Sequence, residues 1–390
     1  FLINFEYKNW LGGFYLLKNL IYCINKFSKG KIEPVLIVRK KLNKDEKKEF
    51  KNLKLIKTDF FWNQSKWSRV WCKFKVILFG KSNNYEDFFK KNKINVLSHI
   101  NVFNNNIILG KKSSVKTLSL VADFQHLYFP QNFPLKQRIL RNINTHLSSK
   151  FSSKILLISN DAKKDLKKIS LSGYDNSVIN RFVFPPPIKK KIIKLENLKK
   201  KYNFSSNFFF LPNQYWAHKN HIVVLKALNY LRQKNKNNNI LILSTGSNDD
   251  QKGFQNYERL KEFIAINKLK SNYKYLGIVP YHELMSLMYH SIAVINPSKF
   301  EGRSSTVEQA KSIGKKIILS KIKIHYEQNP KRGLFFYPDD NIKLAEILFN
   351  ENKKFNKSKE KKFIKNSYLE SNKNLLKYYN EYKKIIFDLF

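Results

Sequence analysis

Three consecutive prolines, Pro185-Pro186-Pro187, split this sequence into two stretches that repeat one pattern. Proline fixes φ and has no backbone N–H, so such a run joins neither a helix nor a central strand; it reads as a stiff linker. Before it, short β-rich runs read as buried strands: 1–5, 34–38, 53–57, 94–100, 115–121 and 154–159. Between them lie segments of helical periodicity at 14–27, 66–79, 134–148 and 161–169. After it the alternation restarts, with strands at 207–213, 239–246, 273–279, 292–298, 316–320 and 334–337. Helices are expected there at 220–233, 254–268, 281–290, 305–314 and 341–350.

Strand–helix alternation of this kind predicts an α/β fold of two Rossmann-like, doubly wound parallel-sheet domains facing across a cleft. The expected boundaries are an N-terminal domain 1–184, a linker 185–191, a C-terminal domain 192–366 and a last helix 367–390 packing back on the domains. Ligands of such sheets bind beyond the carboxyl ends of the strands, so the cleft is the expected site.

Composition narrows the class. With 390 residues, 42% hydrophobic and 15% aromatic, the chain can bury two cores, so disorder is not the reading. No run of eighteen apolar residues predicts a membrane-spanning helix, and no signal peptide is visible in a chain starting at Phe1. Cys23 and Cys72 form no metal-ligand spacing, which fits a reducing cytoplasm and argues against structural zinc. The formal charge of +45 leaves two readings open: a real anionic partner, or a Lys/Asn excess inherited from base composition, as in KNKNNN (234–239). The lysines are spread along the chain, and no nucleic-acid partner is expected.

The richest stretch is INPSKFEGRSSTVEQAKSIGKKIILS (295–320). A strand ends at Pro297-Ser298, a loop carries Glu301-Gly302, and a helix begins near Ser304-Ser305-Thr306. A helix N-terminus offers unpaired N–H groups and a positive dipole end, an anion site suited to a diphosphate. Gly302 permits close backbone approach, and Glu301 can accept hydrogen bonds from sugar hydroxyls. This stretch resembles the C-terminal signature of the large retaining glycosyltransferase family, group 1 or family 4, that includes sucrose synthases and bacterial mannosyltransferases. The resemblance implies that Glu301 contacts the donor sugar. The ribose position, eight residues on, is Gln309, with Glu308 one residue early; Gln309 can bond a hydroxyl without charge.

Other segments fit the same resemblance. LPNQYWAHKNH (211–221) is similar to the loop that grips the diphosphate, which implies that Lys219 is a counter-ion for the leaving group. Gly12-Gly13, read as a loop between a strand and a helix, resembles the family's glycine-rich loop. Asp123 and His126, just past a strand end, resemble the donor-sugar contact of related transferases. Gly277, Ile278 and Val279 resemble the loop that reads the base, and Ser244 and Gly246 lie at another strand end suited to phosphate.

The chain carries no GxGxxG, Walker loop, GxSxG, metal-ligand cluster or DxD. The resemblance therefore implies a metal-free site using a UDP- or GDP-linked sugar as co-substrate, with no cofactor. It further implies a hexose transferred with retention to a glycan or lipid-linked acceptor in cell-envelope polysaccharide synthesis, and closure about 185–187 to exclude water. The alternatives are a nucleotide-sugar epimerase of the same fold and a non-enzymatic basic binding protein. The expected location is cytoplasmic, with peripheral attachment to an anionic membrane through 60–80. There Trp67, Trp71 and Phe74 share a helix face flanked by Lys66, Arg69, Lys73 and Lys75. That aromatic face is expected to pack on the N-terminal sheet, leaving charge alone to hold the membrane.

Overall fold

The computed structural model describes residues 1, 11–63, 65–101, 109–235, 240–248 and 255–390. It divides into two compact units, one of Phe1–Phe182 with Leu375–Phe390, the other of Val183–Asn374.

The first unit holds β1 (Val35–Val38) and β2 (Lys54–Lys57) as a parallel pair. A four-stranded parallel sheet runs in the order β3 (Val96–Asn101), β4 (Lys116–Val121), β5 (Lys154–Leu157) and β6 (Ser177–Ile179). The register of β3 slips between Ser98 and Ile100, where His99 takes φ 61°. Tyr382, from the returning C-terminal segment, donates to Ser98 Oγ at 2.9 Å. Of the expected strand at 1–5, only Phe1 is described, and its carbonyl accepts from Ile37 N at 2.8 Å.

The second unit is a six-stranded parallel sheet. Its strands are β7 (Phe208–Leu211), β8 (Leu241–Ser244), β9 (Tyr273–Tyr275), β10 (Val294–Asn296), β11 (Ile317–Ser320) and β12 (Gly333–Phe336). Their order in space is β12-β11-β10-β7-β8-β9. Alternate residues of β7 serve opposite cores. Phe209 and Leu211 pack with the helices His221–Gln233 and Asn341–Lys354. Phe208 and Phe210 pack with Leu198, Met285, Met288 and Val307. A sheet covered on both faces needs apolar residues at every position, hence the run FFFL. Strand order reverses between β7 and β10, and at such a switch point the two connections leave in opposite directions and open a crevice.

Four expectations are corrected. Gly12 and Gly13 belong to the first turn of the helix Leu11–Phe27 rather than to a loop, because the apolar period of Phe14, Leu17, Leu20, Ile21 and Ile24 extends back over them. The segment 185–191 lies within the second unit, where Tyr368 donates to Pro187 O at 2.9 Å. The last helix starts ten residues early, spanning Lys357–Phe387, and passes from the second unit into the first. It docks early because Gly314, at φ 65°, lets it approach: a Cβ there would lie 2.5 Å from Ser367 Cβ. Finally, the aromatic face of the helix Lys66–Phe79 is exposed, because a narrower face, Cys72 and Val76, fills the core instead.

Candidate active site

The loops leaving β7 and β10 meet at the switch point of the second unit. After β7 the chain turns through Asn213 into a short 3-10 turn, Ala217–Lys219. Asn220, in the left-handed region at φ 58°, then opens the helix His221–Gln233. Its side-chain amide donates to Pro297 O at 3.1 Å and Pro338 O at 2.8 Å, pinning this turn to the loop after β10. Lys299 N donates to His218 O at 2.8 Å across the same seam.

These pins bring together Lys219 and Glu301, 82 residues apart in sequence. Lys219 Nζ lies 2.7 Å from Glu301 Oε1 and 2.8 Å from Oε2, with both side chains largely buried. Ser298 Oγ lies 2.7 Å from both Glu301 Oε1 and Asn296 Oδ1, sharing one proton between them. Burial pushes the Glu301 carboxyl up, but the Lys219 ammonium, the hydrogen bonds from Lys219 and Ser298, and His218 outweigh it. The net effect holds Glu301 below the usual carboxylate range. His325 is near enough to feel both charges; burial pushes its pKa down to about 4, so it is neutral at pH 7.

Beside the pair stands the N-terminus of the helix Ser305–Ser312. Ser304 caps it, and Asn296 Nδ2 donates to Ser304 Oγ at 2.6 Å. Among the described residues, the backbone N–H groups of Ser305 and Thr306 donate to no protein acceptor. Thr306 Oγ1 lies 3.3 Å from Asn213 Oδ1, so this helix start is also tied to the loop after β7. Gly302 precedes the cap and is half-buried.

Glu308 and Gln309 have separate fates. Glu308 is buried, and its Oε1 accepts from Arg303 at 2.6 Å, Gln328 at 2.9 Å and Lys311 at 3.1 Å. Three side chains of its own unit thus hold this carboxylate in place. Gln309 is also largely buried, yet its carboxamide has no hydrogen-bond partner among the described residues.

The remaining candidates fall into two groups, one in each unit. Gly246 (φ 144°) lies against the backbone of residues 213–214, where a Cβ would meet Asn213 O at 2.6 Å. Its N–H and the Thr245 hydroxyl both donate to Gly277 O, joining the β8 and β9 ends. Gly277 (φ 73°) faces open space, Ile278 is exposed and Val279 is buried in the core. Ser244 is fully buried, with its hydroxyl accepting from Tyr215 at 2.8 Å, so it faces inward. In the first unit, Asp123 Oδ1 accepts from Gln125 N at 3.0 Å. His126 is buried between Phe124 and Phe133, its Nε2 2.8 Å from Asn142 Oδ1. Burial lowers its pKa, so it is neutral near pH 7.

Asn296, Ser298, His325 and Gln328 were not singled out by sequence reasoning. The first two lie inside the quoted signature, and their signal was polar residues ending an apolar strand. The last two lie on the helix Lys323–Gln328, whose six residues show no clear period.

Residues 194–370 match the family model Glycosyl transferases group 1. A glycosyltransferase from Rickettsia africae ESF-5 superposes with a TM-score of 0.65 at 17% identity, over 96% of this chain and 94% of that one. Anabaena Alr3699/HepE, solved in complex with UDP and glucose, gives 0.68 at 12% identity over 95% of each chain. Sucrose-phosphate synthase from Thermosynechococcus elongatus gives 0.64 at 11%, over 96% and 94%. No curated protein matches the chain in sequence. At such identities the likeness is one of fold, two Rossmann-like domains of the GT-B type.

Proposed function

We propose, from the match of residues 194–370 to the glycosyl transferases group 1 family model, that this chain transfers a hexose with retention of configuration. The donor is a UDP- or GDP-linked sugar, and the acceptor is a glycan or lipid-linked glycan of the cell envelope. The observation that carries the reading is the Lys219–Glu301 pair, set at the switch point beside the unclaimed N–H groups of Ser305 and Thr306. UDP complexes of the Anabaena protein, alike in fold, support the donor class.

In this reading the diphosphate lies against Lys219 and the helix start, whose positive charge offsets the charge that develops on the leaving group. Glu301 accepts from hydroxyls of the donor sugar. Gln309, with its carboxamide unengaged, takes the ribose, and the Gly277–Val279 loop takes the base. The anomeric C–O bond to the β-phosphate breaks as the acceptor oxygen bonds to the same carbon from the same face. The acceptor proton goes to the departing phosphate oxygen, so no protein base is needed. His126, neutral and oriented by Asn142, is the group of the first unit assigned to the transfer. No step calls for a metal.

The test is an incubation with UDP- and GDP-hexoses and an envelope lipid extract, read by mass spectrometry. A product heavier than the acceptor by one hexose is expected. Conversion of donor alone to an isomeric nucleotide sugar would establish an epimerase instead.

A further inference from the structure

The helix Lys66–Phe79 is secured at both ends and bare along most of its surface. Ser65 caps its start, accepting from Ser68 N at 3.1 Å, and Gly80 (φ 74°) closes its end by donating to Val76 O. Of its described side chains, Cys72 and Val76 alone are buried. Trp67, Trp71, Phe74 and Leu78, spaced i, i+4, i+7 and i+11, form a stripe along one face. Trp67 is 83% exposed and Trp71 58%. The rings of Trp71 and Phe74 stack at 5.6 Å while both remain about half exposed.

A second helix of the same unit, Leu135–Phe151, repeats the design. Leu135, Ile139 and Ile143, at i, i+4 and i+8, are all about half exposed or more. The two helices meet where Val76 packs with Leu147 and Phe151. Neither helix contains one Asp or Glu, while the first carries Lys66, Arg69, Lys73 and Lys75 and the second Lys136, Arg138, Arg141 and Lys150.

Exposed apolar stripes of this size need an occupant. A second copy is disfavoured by charge, since each chain carries +45 and neither helix contains an acidic residue. An anionic bilayer satisfies both components, taking apolar side chains at the acyl boundary and cations at the headgroups. Fourteen residues reach only ~21 Å, and no described helix is long and apolar enough to cross a membrane. We infer that the first unit lies on an anionic lipid bilayer, with the Trp67–Trp71–Phe74–Leu78 stripe inserted in the interfacial plane and the flanking cations on the headgroups. This inference is independent of the sugar chemistry.

Vesicle co-sedimentation tests it, with phosphatidylcholine alone and phosphatidylcholine mixed with phosphatidylglycerol. Binding to the anionic vesicles is expected, with a fraction surviving about 0.5 M salt, where surface charges are largely screened. Brominated acyl chains should quench tryptophan fluorescence. A Trp67→Ala, Trp71→Ala variant should lose that quenching and about tenfold or more in partitioning, with unchanged circular dichroism and UDP affinity. Leu135→Ser, Ile139→Ser should weaken partitioning in the same direction. Three results would overturn the inference: negligible binding to both vesicles; anionic binding abolished by salt and indifferent to the Trp variant; or self-association, lost in that variant, with no vesicle binding.

Discussion

Glu301 and Lys219 satisfy one another, so in the proposed site a diphosphate must take the ammonium from the carboxylate. Glu301→Gln should therefore bind UDP severalfold more tightly by calorimetry while transfer falls about 10²-fold or more. Lys219→Ala should weaken UDP and lose transfer about as severely. Unaltered UDP affinity in both variants would take the pair out of the donor site. Gln309→Ala should weaken UDP with little loss of stability, whereas Glu308→Ala should cost roughly 2 kcal/mol or more by stranding Arg303; the reverse pattern would contradict the roles assigned. The sequence made Glu301 and Lys219 visible singly, through motif order and strand-end position. Their pairing was not legible, because it depends on which strands lie side by side, and β7 and β10 become neighbours only in the finished sheet.

Continuous apolar runs and clear helical periods are legible: β7 and β10 lie within the expected strands, and the helices Lys66–Phe79 and Tyr281–His290 lie where expected. Short ones escaped. Lys44–Phe50 holds one buried apolar residue, Phe50, in seven, and its capping box, Asn43 with Glu46, is the signal that could have found it. Lys323–Gln328 was lost the same way, and with it Gln328, which braces Ser304 through both of its amide atoms. The start of the last helix was misplaced because its docking rests on a cleared position and an ion cluster rather than on periodicity. Lys315, fully buried, and Arg332 both hold Glu360, and burial lowers the Lys315 pKa to about 8 against the pull of that carboxylate. Gly314→Ala meets both a positive φ and the Ser367 side chain, so urea denaturation should show a loss of roughly 2 kcal/mol or more. A loss within error would mean the helix start is loosely held.

Acid should act on the whole molecule through its buried imidazoles. His221 and His325 in the second unit are both pushed down by burial from 6.5 to about 4. Below pH 6.5 the unfolded chain takes up protons that the folded one refuses, so stability is full above that pH. It then falls down to about pH 4, by on the order of 3 kcal/mol per group at most. A urea midpoint flat between pH 7 and 4.5 would contradict the burial of these rings. Transfer itself should be indifferent to EDTA, since the positive charge in the proposed site is all protein; activity lost to chelation and restored by Mg²⁺ or Mn²⁺ would contradict it.

The path of the last helix also sets an order of birth. Tyr378, Tyr379 and Tyr382 complete the core of the unit whose other residues are translated first. On the ribosome that unit waits, unfinished, while the second unit, needing nothing beyond Asn374, can close ahead of it. A nascent chain stopped after Asn374 should accordingly show protease resistance in its C-terminal half and cleavage in its N-terminal half, the reverse of what vectorial synthesis gives to two independent domains.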